Sequence, residues 1–230
     1  VSGAPSETNA TVRQIAMSPK AVASYMDLSR KLILQASPDA ETIFRNDMVQ
    51  QVASAIDTVG INGGGSNEPT GILQTSGIGS VAIGTNGGAP TWASVINNIK
   101  EVAIDNALGG ALAYLTNPQV VGKMRQTVRV GSTDSRFIMD ERDTMMGYRV
   151  AQTSNVPSNL TKGSTSGTCS AMIFGNFNDL IIGQWSATDV LVDPYSGSNS
   201  GTVRIVVFHD VDIAVRHAES FSSTQDYTTT

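Results

Sequence analysis

Apolar residues recur at three- and four-residue steps through Ala40, Ile43, Phe44, Met48, Val52, Ala55, Ile56 and Val59. That spacing predicts one amphipathic helix over 38–59. Ser37 can cap it, Pro38 suits its first position, and Asp39 and Glu41 complement the positive end of its dipole. Gly60 reads as its stop. At ~1.5 Å per residue the helix would be about 33 Å long, enough to cross most of a domain. Its Ile43, Phe44, Met48, Val52 and Ile56 stripe is the face expected to be buried. A second stripe, Trp92, Val95, Ile96, Ile99, Val102 and Ala103, predicts a helix capped by Thr91 and stopped by Gly109 and Gly110. Asn117-Pro118 starts a third, with Val120, Val121 and Met124 inward.

Other segments carry strand patterns. Residues 11–17 alternate in part, and residues 20–35 read as a strand followed by a short helix. A weak hairpin signal covers 78–88. Short strands are expected at 111–115, 137–140, 148–153, 169–175, 180–185 and 190–193. Residues 202–216 are β-branched and alternate at their ends, which predicts one or two long strands. The mixture is α+β, without an internal repeat. The first ten residues are polar and patternless, and the chain starts at Val1, as expected of a cleaved or cut chain. Residues 222–230 are polar and read as a frayed end.

Composition narrows the classes. Across 230 residues, 40% are apolar and 15% charged, which excludes a highly charged disordered chain and allows one or two compact units. No apolar run approaches the ~20 residues of a membrane span, and no basic-plus-apolar leader is present. The formal charge is −5 and the 15 Lys and Arg are scattered. Sequence-specific DNA binding needs a basic patch, so it is not expected. The single cysteine, Cys169, excludes an internal disulfide framework and fits a reducing cytoplasm.

Chemistry-bearing motifs are sparse. Gly63–Gly65 follow a helix instead of opening one, and no Lys follows them in the loop, so they do not make a phosphate cradle. His209 and His217 share a face if their strand is unbroken, with Asp210 and Asp212 on the other; zinc normally needs four ligands. Cys169 sits at a strand entry and reads as a small core residue. Asp179, Asp189 and Asp193 lie near strand ends and read as solvated turn residues. No Gly-x-Ser-x-Gly is present. No catalytic, cofactor-binding or metal-ligating residue is therefore assigned, and the chain is read as a non-enzyme without a cofactor.

The order of elements is informative as a series. A long helix precedes residues 62–73 (NGGGSNEPTGIL) and a second helix. Residues 114–125 (YLTNPQVVGKMR), 145–157 (MMGYRVAQTSNVP) and 171–185 (AMIFGNFNDLIIGQW) follow, then a strand-rich end. From residue 11 to about 222 this series resembles the major capsid proteins of tailed bacteriophages, which have the Hong Kong 97-type fold. The resemblance implies a peripheral domain from 19–89 and 179–210, carrying the long spine helix. It implies an axial domain from 90–178 and 211–225, a partial E-loop arm at 1–18 and a flexible tail at 226–230. The 193–201 loop would lie at contacts between capsomers, with Tyr195, Ser196, Ser198 and Asn199 as contact residues.

Some members of that family lock their shells with a Lys–Asn isopeptide bond assisted by a Glu. Here no Lys occurs in 1–19, Gly201 stands where the Asn is expected with Asn199 nearby, and the strand offers Phe208, His209 and Asp210 instead of Glu. Non-covalent stabilisation is expected. The implied function is a shell of self-assembled pentamers and hexamers, the icosahedral head, around phage double-stranded DNA held without sequence-specific binding. Implied partners are copies of the chain, scaffold or protease, and portal proteins, with no membrane. The location would be the virion, assembled in the host bacterial cytoplasm. The alternatives are an encapsulin-like nanocompartment shell and, more distantly, an α/β enzyme.

Overall fold

The computed structural model describes residues 13–35, 40–131, 134–140 and 143–229. The chain runs β1 (Lys20–Ser29), α1 (Arg30–Gln35), α2 (Ala40–Asn62), β2 (Gly79–Ser80), α3 (Trp92–Ile104), β3 (Leu112–Thr116) and α4 (Pro118–Gln126). It continues β4 (Val128–Val130), β5 (Asp134–Phe137), β6 (Thr144–Met145), β7 (Tyr148–Gln152), β8 (Leu160–Lys162), β9 (Thr165–Asn176), β10 (Leu180–Gln184), β11 (Asp189–Asp193), β12 (Thr202–Val215) and β13 (Phe221–Thr228).

Two sheets divide these strands. In the first, β12 is central and antiparallel to all its partners: β1 on one side, β10 and β11 end to end on the other. Alternation along β12 sends Ile205 and Val207 to one face, where they pack with Leu28, Met48 and Val52 beneath α2. The second sheet has the order β2-β13-β9-β3-β7-β6, with β8 also on β9. Helices α3 and α4 cover it through Val95, Val102, Val120, Val121 and Met124, packed on Tyr114, Met172 and Phe174. A third cluster, with Ile61, Ile72, Ile173, Val215 and Phe221, joins the end of α2 to both sheets.

Helix α2 departs from its sequence reading at both ends. Ser37, Pro38 and Asp39 lie outside the described residues. At the other end the helix runs through Gly60 to Asn62, because Gly60 is buried against β12, where a Cβ would meet Ile213 Cδ1 at 3.1 Å. The helix stops where Gly63 and Gly71 bring two backbone segments into contact. Gly71 N donates to Gly63 O at 2.9 Å, and a Cβ on Gly71 would fall 2.4 Å from Gly63 N. Ile43 does not join the buried stripe; it is 53% exposed, while Met48 and Val52 are buried and Phe44 and Ile56 partly so.

Cap chemistry set the start of both later helices. Thr91 and Ser94 form a reciprocal capping box, and Asn117 accepts from Val120 N at 2.9 Å. The end of α3 comes earlier than Gly109 and Gly110. Asn106 takes a left-handed φ of 55°, with bonds from Asn106 N to Ala103 O and from Ala107 N to Val102 O. On this helix Val95 and Val102 are buried, but Ile96 faces water.

Several strand expectations also shift. Residues 13–19 form no strand, and 11–12 lie outside the described residues. The 78–88 segment is not a hairpin: β2 runs parallel to β13, and Val81 N and Gly88 N bond to Ser223 O and Asp226 O. The strand placed at 137–140 lies at Asp134–Phe137, and Ile138 and Met139 turn into the core instead. Residues 202–215 form one unbroken strand, so position 210/211 falls inside β12.

The largest departure is the C-terminal segment. Residues 221–228 do not fray; they form a strand between β2 and β9, with Ser222, Ser223, Thr224, Asp226 and Tyr227 buried. Ser222, Thr224 and Tyr227 are paired inside. Ser222 Oγ donates to Asn98 O at 2.9 Å, Asn98 Nδ2 donates to Thr224 Oγ1 at 2.9 Å, and Ser94 Oγ and Tyr227 Oη lie 2.7 Å apart. Burial raises the Tyr227 phenol to about 12.

Candidate assembly surface

The outer face of the first sheet, opposite α2, carries apolar side chains into solvent. The β1–β12–β11 register aligns Tyr25, Val206 and Leu191 in one row and Ala23, Phe208 and Asp189 in the next. Tyr25 is 67% exposed, Leu191 53% and Phe208 41%. A strand with one covered face normally turns polar residues outward, so this stripe is an unusual apolar exposure. Charge borders it in the following row, where Asp27, Arg204 and Asp193 align. Arg204 donates to both Asp27 oxygens, Nε at 2.7 Å and Nη2 at 2.9 Å, and its guanidinium lies 5.0 Å from the Tyr25 ring centroid. The Arg204 bonds hold the Asp27 carboxyl below its ordinary range, and Asp27 raises the Arg204 guanidinium.

The 193–201 turn continues this face. Asp193 Oδ1 accepts from Tyr195 N at 2.8 Å and Ser196 N at 3.2 Å, and Oδ2 accepts from the Ser196 hydroxyl. Those bonds, the Ser196 hydroxyl first, lower the Asp193 carboxyl. Gly197 is buried in the turn, where a Cβ would strike Thr202. Gly201 O accepts from Arg30 N at 3.0 Å, tying the turn to the start of α1. Tyr195, Ser196, Ser198 and Asn199 all point outward, and Tyr195 is 83% exposed. The sequence thus located the turn. It did not locate the apolar row beside it; the alternation within 20–29 and 189–193 was the available signal.

Among the described residues the His, Cys and Asp groups singled out by the sequence do not converge. Among the described residues no three His, Cys, Asp or Glu side chains are placed to hold a metal. His209 is buried, with Nδ1 3.3 Å from Thr188 Oγ1; His217 lies beyond the end of β12 and is exposed, so the two do not share a strand face. Asp212, on the outer side, holds the arm that precedes β1. It accepts from Ser18 N at 2.8 Å and lies 3.7 Å from Lys20 Nζ. Cys169 is buried, and burial raises its thiol. Asp179 is not a solvated turn residue. It is buried between the sheets and accepts from Arg216 Nε at 2.9 Å and Asn176 Nδ2 at 2.9 Å.

The family model for the phage capsid family matches residues 2–226. The chain belongs to the phage capsid family. Its similarity to the major capsid protein of Halomonas phage phiHAP-1 is 27% identity over 209 residues, covering 90% of this chain. The chain spans 32% of that relative's length. Solved capsid-family folds superpose over most of it. The capsid of an empty GTA particle, computed with C5 symmetry, matches with a TM-score of 0.71 at 23% identity, covering 99% of this chain and 81% of the other. A structure from Gordonia phage Cozz gives 0.68 at 14% identity, covering 97% and 78%. The SrpI encapsulin of Synechococcus elongatus gives 0.62 at 14% identity, covering 92% and 75%. The α+β fold is of the Hong Kong 97 type.

Proposed function

We propose that this chain is the shell-forming part of a major capsid protein, which self-associates into pentamers and hexamers and closes an icosahedral head around double-stranded phage DNA. The observation that carries the reading is the apolar stripe of Tyr25, Leu191 and, one row on, Phe208 on the sheet face opposite α2, continuous with the Tyr195 turn, in a member of the phage capsid family. A second copy is the occupant we assign to that face, with Tyr195, Ser196, Ser198 and Asn199 meeting a neighbouring capsomer. In this reading 19–89 and 179–210 form the peripheral domain, 90–178 and 211–225 the axial domain, and 1–18 part of the E-loop arm. Scaffold or protease and portal proteins are partners during assembly in the host cytoplasm, and the shell has no enzymatic activity of its own.

Head-to-tail interfaces close into rings when the rotation between copies divides a circle, and a shell follows when those rings meet along their rims. The acidic balance of −5 suits a container that must not trap its genome. Residues 1–19 contain no Lys and β12 no Glu, so these segments do not supply a Lys and Glu for a covalent cross-link. The encapsulin superposition favours a second reading, a shell around protein cargo. Expression of the full-length parent protein, with electron microscopy of its oligomers and analysis of their contents, tests both. Rings or shells support the proposal, and enclosed DNA favours the first reading over the second. A strictly monomeric protein under all assembly conditions overturns it.

A further inference from the structure

We propose that the free edge of β10 pairs with the same edge of a second copy across a two-fold axis, in an antiparallel contact centred on Ile182. This rests on the shell reading, to which it adds one contact between rings. Among the described residues β10 pairs with β12 alone, so its other edge is open. Trp185 N donates to Asp210 O at 3.2 Å, and Arg216 N donates to Asp179 O at 2.7 Å. In the register of these strands, those bonds mark the odd-numbered positions of 179–185 as the ones bonded to β12. Antiparallel alternation then turns the N–H and C=O of Ile182 and Gln184, and the C=O of Leu180, away from β12. The Leu180 N–H is already bonded, to Phe177 O.

Natural sheet edges are blunted by charge, proline or a bulge. β10 (LIIGQ) has no charge and no proline, and its register with β12 is unbroken. Its outer face is closed at Gly183, where a Cβ would meet Met17 Cε at 3.0 Å and the Trp185 ring at 3.4 Å. On the α2 side, Leu180 and Ile182 border a cleft of about 260 Å³ with Ile56, Ile61, Phe177 and Ile213. Ile182 is 51% exposed beside it. An open ladder edge next to an apolar cleft is the arrangement that accepts an added strand: main-chain bonds give affinity and the cleft takes side chains.

Charge selects the occupant. A two-fold axis brings a strand against its own copy, so like charges approach each other across it. Of the three edge strands in this sheet, β11 carries Asp189 and Asp193 and would repel itself. β1 carries Lys20 and Asp27, already tied to Asp212 and Arg204 within the chain. Only β10 is neutral along its whole length. In the pairing, the two Ile182 residues form a bonded pair, each N–H donating to the other's C=O. Gln184 N–H donates to the Leu180 C=O of the second copy, and the two Ile182 side chains meet over the clefts.

Assembly of the full-length parent protein carrying Ile182→Cys, oxidised and run on a non-reducing gel, tests the contact. Bonded antiparallel pairs set their Cα atoms ~5.5 Å apart, within reach of a disulfide. A single substitution gives chain dimers through this position only if residue 182 meets itself. Cys169 is buried, and the unsubstituted protein supplies the background. Gln184→Cys is the register control, since the two 184 positions lie ~13 Å apart along the paired strands. We expect dimers from Ile182→Cys assemblies and background levels from Gln184→Cys. Ile182→Pro removes the outward N–H without breaking a bond to β12. Its monomer should keep the parental Tm, and its rings should form without joining into shells. Should Ile182→Cys chains not assemble, a chain with both Leu180→Cys and Gln184→Cys, which meet across the axis, gives the dimers instead. Dimers equally from Ile182→Cys and Gln184→Cys, dimers from no cysteine variant, or shells at parental yield from Ile182→Pro each overturn the β10 contact and leave the shell reading standing. Absence of rings and shells from the unsubstituted parent protein overturns both.

Discussion

The carboxamide of Asn98 donates to Thr224 Oγ1 across 2.9 Å, and neither side chain reaches solvent. This bond joins the middle of α3 to the last strand. Asn98 also bonds through Nδ2 to Ser94 O and through its own oxygens to the Ser222 hydroxyl. The Asn98 side chain thus meets Ser222 and Thr224, two of the polar residues that β13 turns toward α3. Replacing Asn98 by Leu keeps the volume and removes the donor to Thr224, while Ser222 keeps the main-chain oxygen of residue 98. Thr224 would then be buried with an unmet bond, at ~1–3 kcal/mol where no rearrangement rescues it. We expect a lower denaturation midpoint with an unchanged m-value, read by urea titration; a midpoint equal to the parent's would mean that water replaces the amide.

This network explains why the C-terminus misled the sequence reading. Fraying was inferred from polar composition, which is a sound guide only when the polar groups find no partners in the fold. The partners here lie more than a hundred residues away and carry no local signature. Asp179 was missed for the same reason, since Arg216 is distant in sequence. Local signals fared better. Thr91 and Asn117 capped their helices as read, because a cap acts within three residues. Gly60 failed as a stop because a glycine inside a helix also admits a close neighbour, here Ile213. The Tyr195 turn was legible from its Pro, Gly and Ser residues. The apolar sheet face was not, because alternation identifies a strand without saying which face a partner covers.

The α2 helix gives a graded test. Met48 is fully buried against β12, whereas Ile43 is 53% exposed on the same helix. Met48→Ala should cost about 2–5 kcal/mol, and Ile43→Ala less than about 1 kcal/mol. Phe44, half-covered, should fall between them. Thermal and urea unfolding of the three variants gives the order. A large effect at Ile43 would place that side chain in a contact the isolated chain does not show.

Asp179 makes the stability acid-sensitive. Burial raises its carboxyl, but the Ser220, Arg216 and Asn176 hydrogen bonds outweigh that and leave it below the ordinary carboxylate range. A group depressed in the folded state binds fewer protons there than in the unfolded chain. Its stabilisation is therefore complete above the unfolded value of ~3.9 and disappears as pH falls through the folded one. Asp179→Asn should destabilise at about pH 7 by less than the ~3–5 kcal/mol of a fully buried pair, because Arg216 is half in water. Its deficit should shrink on acidification to about pH 3. A deficit constant across that range would show that Asp179 does not titrate with folding.

Tyr195 separates assembly from folding. It is 83% exposed and its turn is held by Asp193 backbone and hydroxyl bonds that do not use its ring. Tyr195→Ala should leave the Tm of the monomer within experimental error while reducing the yield of shells from the full-length parent protein. Equal losses of Tm and yield would assign the ring to the fold of the monomer.

The apolar sheet face makes the stronger assembly prediction, because its cost at an interface differs in kind from its cost in water. Leu191 lies between Asp189 and Asp193 on the same strand face, next to Val206 across the sheet. Leu191→Lys places a cation among these carboxylates, so the monomer loses little, ~0.2–1 kcal/mol of cross-strand packing at most. If a second copy covers the face, the ammonium must be stripped of water against Tyr25 and Phe208, and an unpaired charge there costs far more than the leucine contact it replaces. Monomeric chains with parental Tm and no rings by electron microscopy are the expected result. Phe208→Lys, in the next row, should behave alike, and Ile96→Lys on the exposed side of α3 should not. Shells formed at parental yield by Leu191→Lys and Phe208→Lys would show that this face stays in water, leaving the Tyr195 turn as the only candidate contact on that side of the molecule.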